Sequence, residues 1–253
     1  MLTKNELKYY SSLLLKKNRN EERKFLVEGK KLLIAALNSN LHCELILSTT
    51  SFEDANPEFF NQTVFRDLRR EIIKQKELEK LSDTKTPQGL IGVFKKEVNK
   101  KIRIESKIVV ALENISDPGN MGTIIRNCEW FGISDIILSE ECAEIFNPKV
   151  IRASAGSVFH VNICGDQDFY NIITNLKSAG YKVICGDLEG EDLRKYKPAE
   201  KLIIVFANEA GGPSSKILEL SDYTITISGK GKGESLNVAS ATAIILYELS
   251  KNL

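Results

Sequence analysis

The stretch Lys107-Ile-Val-Val-Ala-Leu-Glu-Asn-Ile-Ser-Asp-Pro-Gly-Asn-Met-Gly-Thr-Ile-Ile-Arg-Asn127 passes from a continuous apolar run, through a polar turn, into residues with helical spacing. An apolar run without alternation suits a strand covered on both faces. Further strand-like runs at 136–138, 181–185, 202–206 and 223–227 alternate with helical stretches at 122–131, 169–178 and 236–249. Such alternation predicts an α/β domain built on a parallel sheet.

Polar residues and Gly or Pro follow three of these runs directly, at 113–127, at Val205-Phe-Ala-Asn-Glu-Ala-Gly-Gly-Pro213 and from Ser228 onward. Loops at the ends of parallel strands open onto one crevice. The third loop, Ser228-Gly-Lys-Gly-Lys-Gly-Glu-Ser-Leu-Asn237, runs into an alanine-rich apolar helix. Ser235 and Asn237 fall at the junction, where a helix start leaves N–H groups that Ser and Asn side chains accept from. A surface turn before a core helix is the competing reading of this loop alone. Lys230 and Lys232 suit phosphate as point charges. Neither P-loop nor dinucleotide spacing is present, which argues against a nucleotide-dependent enzyme.

The 253 residues suffice for one large or two modest domains, and 42% hydrophobic with 27% charged residues is ordinary for a globular chain. Lacking an apolar leader and any run of about 18 apolar residues, the chain is expected to be cytoplasmic, with no membrane partner. Five scattered cysteines and two isolated histidines predict reduced core thiols and no metal site. The net charge of +1 hides an asymmetry: residues 1–105 hold 21 basic against 15 acidic residues, and the remainder 14 against 19. A basic first half suits a polyanion such as RNA, with Lys16, Lys17, Arg19, Arg23, Lys24 and Lys30 as the candidate contacts. A merely solvated basic face is the alternative.

Within that half the pattern predicts a helix over 6–17, a strand over 23–29, a helix over 30–38, a strand over 45–47, a polar segment over 51–63, a helix containing Leu68, Ile72 and Ile73, and a strand over 89–94. Together they make a small α/β domain, residues 1–98. Residues 99–106 are charged and without period, the expected linker to a second domain over 107–253.

Asn114-x-x-Asp-Pro-x-Asn-x-Gly-x-x-x-Arg126, Asn208-Glu209 with Gly211-Gly212, and Ser235-Leu-Asn-Val238 occur in this order. They resemble the three motifs of the SpoU/TrmH family of RNA ribose 2′-O-methyltransferases across nearly all of 107–253. The first half resembles, more weakly, the small ribosomal-protein-like RNA-binding domain of many members. The resemblance implies methyl transfer from S-adenosylmethionine to a ribose 2′-hydroxyl of tRNA or rRNA, a deep trefoil knot in the second domain, and a homodimer. It implies cofactor contacts at Ala207, Asn208, Glu209, Gly211, Ile227 and Leu236. By the same resemblance Arg126 is the catalytic arginine, with Asn120, Glu209, Ser235 and Asn237 around the reacting groups. A guanidinium stays protonated, so positioning a phosphate suits Arg126 better than proton abstraction. The chain departs from the family pattern at Ala207, where Gly is common, and at Ser228-Gly229, where Pro-Met is common. A non-catalytic RNA-binding or ribosome-associated module that retains the fold is the alternative these departures raise.

Overall fold

A computed structural model describes residues 2–96, 106–165, 168–208 and 211–252. The expected linker, apart from Ser106, and Glu209 lie outside the described residues. By packing, the chain divides into two compact units, residues 1–98 with 144–159, and residues 99–143 with 160–253.

The first unit contains α1 (Lys4–Ser12), α2 (Lys16–Glu22), β1 (Lys24–Glu28), α3 (Lys30–Leu37), β2 (Cys43–Thr49), α4 (Thr50–Ala55), β3 (Arg70–Ile73), α5 (Gln75–Leu81) and β4 (Leu90–Lys95). Its sheet has the order β1-β4-β2-β3, with β4 antiparallel to both neighbours and β2 parallel to β3. One core gathers Leu13, Leu26, Leu45, Leu47, Leu78, Ile91 and Val93. Each such buried aliphatic side chain contributes roughly 1.5–3 kcal/mol.

Three sequence expectations change here. The helix expected over 6–17 is two helices, α1 and α2. Its break is held by Arg19, whose Nη1 donates to the carbonyls of Leu13 and Leu14 at 2.9 and 2.8 Å, satisfying acceptors a helix end leaves unpaired. Ile72 and Ile73 lie on β3, because the helix starts only at Gln75, where Glu77 accepts the N–H of Lys74 at 2.8 Å. The segment 51–63, expected to be polar, buries Phe52 and Phe59 in an aromatic cluster with Phe60 and Phe65.

Residues 144–159, which carry the short helix α7 (Pro148–Ala153), pack as part of this first unit. Phe146 stacks on Phe25 at 4.1 Å, and the Arg152 guanidinium pairs with Asp83. Glu144 is 7% exposed and pairs with the 2%-exposed Arg19 at 2.7 Å.

The second unit holds β5 (Ile108–Glu113), α6 (Pro118–Trp130), β6 (Asp135–Leu138), β7 (Asn162–Gly165), α8 (Phe169–Ser178), β8 (Lys182–Asp192), β9 (Leu202–Ala207), α9 (Ser215–Leu220), β10 (Tyr223–Thr226) and α10 (Val238–Leu249). Its six strands are all parallel, in the order β10-β8-β9-β5-β6-β7. The expected parallel α/β sheet is therefore present. From β5 the chain steps outward through β6 and β7, then continues on the far side through β8. The order reverses beside β5, where β9 lies against it. Val109, Ala111, Ile203, Val205, Val183 and Cys185 form one core with Phe169, Ile173 and Leu176 of α8. All five cysteines are buried and unbridged. Burial pushes the Cys43 thiol up to about 11 and the Cys185 thiol up to about 12.

Between Thr224 and Ile225 the pairing of β10 jumps from Cys185 to Glu191 on β8. The intervening residues of β8 leave the ladder, and the chain returns so tightly that a Cβ on Gly190 would lie 2.5 Å from the carbonyl carbon of Ile225. Only glycine fits that crossing.

Candidate active site

Because the strands are parallel, the loops after β5, β9 and β10 leave the same edge of the sheet. The first begins at Asn114, in the left-handed region at φ 58°, whose N–H donates to Ser139 Oγ at 2.8 Å. Asp117 then caps α6 by accepting the Asn120 N–H at 2.8 Å, and Pro118 occupies the first helical position, where no N–H is required. Helix α6 thus starts four residues earlier than the apolar spacing alone indicates.

Asn237 caps α10, accepting the N–H groups of Ala239 and Ser240 at 3.0 and 3.3 Å. Its Nδ2 donates to Asn120 Oδ1 at 3.0 Å. Seven residues along α6, two turns on the same face, Asn127 donates to the carbonyl of Ala239 at 2.9 Å. The start of α10 is therefore laced to α6 at Asn120 in its first turn and at Asn127 in its last. Arg126 is about 100° around α6 from Asn127 and about 9 Å along the axis from Asn120. It is exposed.

The second motif is tied in by Glu113, which the sequence reading did not single out as a site residue. Its carboxylate is 1% exposed and accepts from Ser214 N–H at 2.9 Å, Ser214 Oγ at 2.6 Å and Tyr170 Oη at 2.8 Å. Its carbonyl accepts the Asn208 N–H at 3.2 Å. A carboxylate closing an otherwise apolar strand was the available signal, because burial of that group requires dedicated donors. Asp192 was missed as well. It accepts the Ser228 hydroxyl, and its carboxyl is held well below the usual range by side-chain hydrogen bonds from Arg194 and then Ser228.

Ala207 pairs with Glu113 across β9 and β5 and is half-buried, as are Asn208 and Ile227. Gly211, Ser235 and Leu236 are exposed. A Cβ at Gly211, Gly229, Gly231 or Gly233 would meet no atom within 4 Å, so the backbone there is open to close approach. Open backbone and polar side chains at two helix starts are the donor set that a nucleoside-bearing cofactor calls for. Of the expected RNA contacts, Lys16, Lys17, Arg23 and Lys30 are exposed, while Lys24 is half-buried against Glu44 at 2.9 Å. Arg19 requires correction: its guanidinium is committed to Glu144 and to backbone carbonyls inside the first unit, and it presents no charge to a ligand.

A parallel sheet with polar loops after the adjacent β5 and β9, where the order reverses, and after the edge strand β10 has the arrangement of α/β proteins that bind ligands at strand carboxyl ends. More narrowly, the chain belongs to the SpoU rRNA Methylase family, whose model matches residues 107–247, and residues 4–92 match the MRM3-like substrate binding domain. It is 28% identical, over 96% of its length and 95% of the relative's, to the 23S rRNA (guanosine(2553)-2′-O)-methyltransferase RlmP of Bacillus subtilis. Among solved structures, it matches a putative RNA methyltransferase of the TrmH family from Porphyromonas gingivalis with TM-score 0.87, 29% identity and 98% coverage of both chains. An AdoMet-bound rRNA methyltransferase from Sinorhizobium meliloti matches with TM-score 0.86 and 29% identity, covering 100% of this chain and 97% of that one.

Proposed function

We propose that the chain transfers a methyl group from S-adenosylmethionine to a ribose 2′-hydroxyl of ribosomal or transfer RNA. The observation that carries this reading is the Asn237 to Asn120 hydrogen bond, which joins the first and third motifs beside the Glu113-anchored second motif. When bound, S-adenosylmethionine supplies an electrophilic methyl group. Backbone at Ala207, Ile227 and Leu236, with Asn208 and Gly211, holds the cofactor. Glu209 joins that set on its motif position.

Arg126 grips a phosphate beside the acceptor ribose through two parallel hydrogen bonds. Asn120, Ser235 and Asn237 orient the acceptor. Holding the reacting oxygen in line is the main contribution such residues make to the rate. Arg126→Ala is therefore expected to lower methyl transfer to ribosomal RNA by about 100-fold or more while leaving cofactor affinity intact. Undiminished transfer by that variant removes Arg126 from the mechanism.

Residues 1–98, with 144–159 packed into the same unit, act as the RNA-binding domain, 99–106 as linker and the rest of 107–253 as the methyltransferase domain, folded as a deep trefoil knot. The pairing jump at Ile225 and the close crossing at Gly190 support the knot. Exposed Trp130, Ile244 and Tyr247, at 77, 43 and 59%, lie on α6 and α10 and support a homodimer through these helices. No helix among the described residues is long and apolar enough to cross a membrane, which is compatible with action in the cytoplasm.

A further inference from the structure

We propose that Lys230 and Lys232, on the glycine loop between β10 and α10, are positioning residues that hold RNA phosphates flanking the acceptor ribose. This rests on the methyltransferase reading. Every residue from 228 to 237 is exposed, including both lysines. Gly229, Gly231 and Gly233 surround them, yet none has a positive φ, and a Cβ on any of the three would touch nothing within 4 Å. Neither backbone conformation nor internal packing therefore demands glycine at these places. Close approach of the cofactor to the backbone accounts for the glycines, and the two lysines between them are left exposed.

The loop is fixed at both ends. Ser228 donates to Asp192, which also accepts the Arg194 N–H and Nε at 2.9 Å. Asn237 caps α10 and is bonded to Asn120 on the helix that carries Arg126. Lys232 is five residues from Asn237, so its Cα lies within about 18 Å of that anchor. Lys230 is two residues from the other anchor. Both lysines are thus tethered on a loop whose far end is bonded to the helix that carries Arg126.

Charge favours the same assignment. Residues 106–253 carry 14 basic against 19 acidic side chains, a balance that repels RNA. Within 228–237 the balance reverses, with two lysines against Glu234. A mobile-stemmed ammonium is a point charge suited to phosphates whose orientation varies.

The test compares the full-length protein with K230A/K232A and K230R/K232R, using transcribed 23S ribosomal RNA and isotopically labelled S-adenosylmethionine. Loss of two phosphate contacts is expected to lower the slope of log binding constant against log salt by about 1.4 to 1.8. The RNA KM is expected to rise by about ten-fold near 0.15 M salt with kcat within about two-fold, and arginine restores both slope and KM. Cofactor Kd, measured by calorimetry, stays unchanged. An unchanged salt slope overturns the proposal, as does a cofactor Kd that rises as much as the RNA KM, which would place the lysines on the cofactor instead. Absence of transfer by the unsubstituted protein counts against the methyltransferase reading, and the salt slopes then still decide whether the loop grips RNA.

Discussion

Asn237 donates to Asn120 at 3.0 Å across 117 residues of sequence, and the same side chain caps α10 through its Oδ1. One amide thus does two separable things. Its acceptor orders a helix start, and its donor fixes the position of that start against α6.

Substitution separates the two. Asn237→Asp keeps an oxygen for the cap and loses the donor to Asn120, whereas Asn237→Ala loses both. The alanine variant is expected to lower unfolding stability by about 1 kcal/mol, and the aspartate variant by less. Both are expected to lose methyl transfer by a similar factor, of order ten-fold or more, because alignment of the two helices is lost in each. Urea denaturation alongside initial rates checks this. Equal stability loss in both variants would show that the bridge rather than the cap sets the fold energy.

Glu113 binds three donors in a site 1% exposed. Glu113→Ala strands the Ser214 and Tyr170 donors and is expected to destabilise by about 1.5–3 kcal/mol. The loop after β9 loses its anchor in the same step. Cofactor affinity is therefore expected to fall in Glu113→Ala and to recover partly in Glu113→Gln, which keeps one acceptor oxygen. Calorimetric titration of both variants measures it.

The Arg19–Glu144 pair fastens residues 144–159 into the first unit. Arg19→Ala leaves a buried carboxylate without this guanidinium and frees the carbonyls of Leu13 and Leu14. A loss of about 3–5 kcal/mol is expected, read from the shift in denaturation midpoint. Arg19→Met, which refills the volume, combined with Glu144→Gln is expected to recover part of that loss. A single Arg19→Ala with unchanged stability would contradict the buried-pair account.

Asp222 gives the pH dependence. Burial alone would raise its carboxyl, but the Val183 N–H and the Lys182 and Lys177 ammonium groups outweigh burial and hold it below the ordinary aspartate range. A carboxyl depressed in the folded state contributes stability that is present above its unfolded pKa and is lost as pH falls through the folded one. Asp222→Asn is therefore expected to destabilise at neutral pH. The difference from the unsubstituted protein should shrink as the medium becomes more acidic than about pH 4. Thermal melts across that range test the sign.

The parallel sheet was legible because a strand covered on both faces must be apolar without alternation, as 108–112 and 202–206 are. Arg126, Asn120 and Asn237 came as a set only through the resemblance of their motifs to the SpoU/TrmH family, and of that set the structure bonds Asn237 to Asn120. Nothing in the first unit's pattern distinguished Ile72 and Ile73 on a strand from the same residues on a helix, because a two-residue apolar run carries no period. Charge likewise does not report exposure. Arg19 reads as one more cation among Lys16, Lys17 and Arg23 until its partner, 125 residues away, is known.

By itself, then, the amino-acid order determined the local periods, the cap and turn residues, and the ordered motifs of the second half. Tertiary structure decided what depends on long-range partners. It assigned residues 144–159 to the first unit, turned Arg19 from a surface charge into a buried pair, and made Glu113 an anchor for the second motif. The division has a physical cause: local conformation follows from neighbours along the chain, whereas the cost of burying a charge depends on the donors that other segments bring to it.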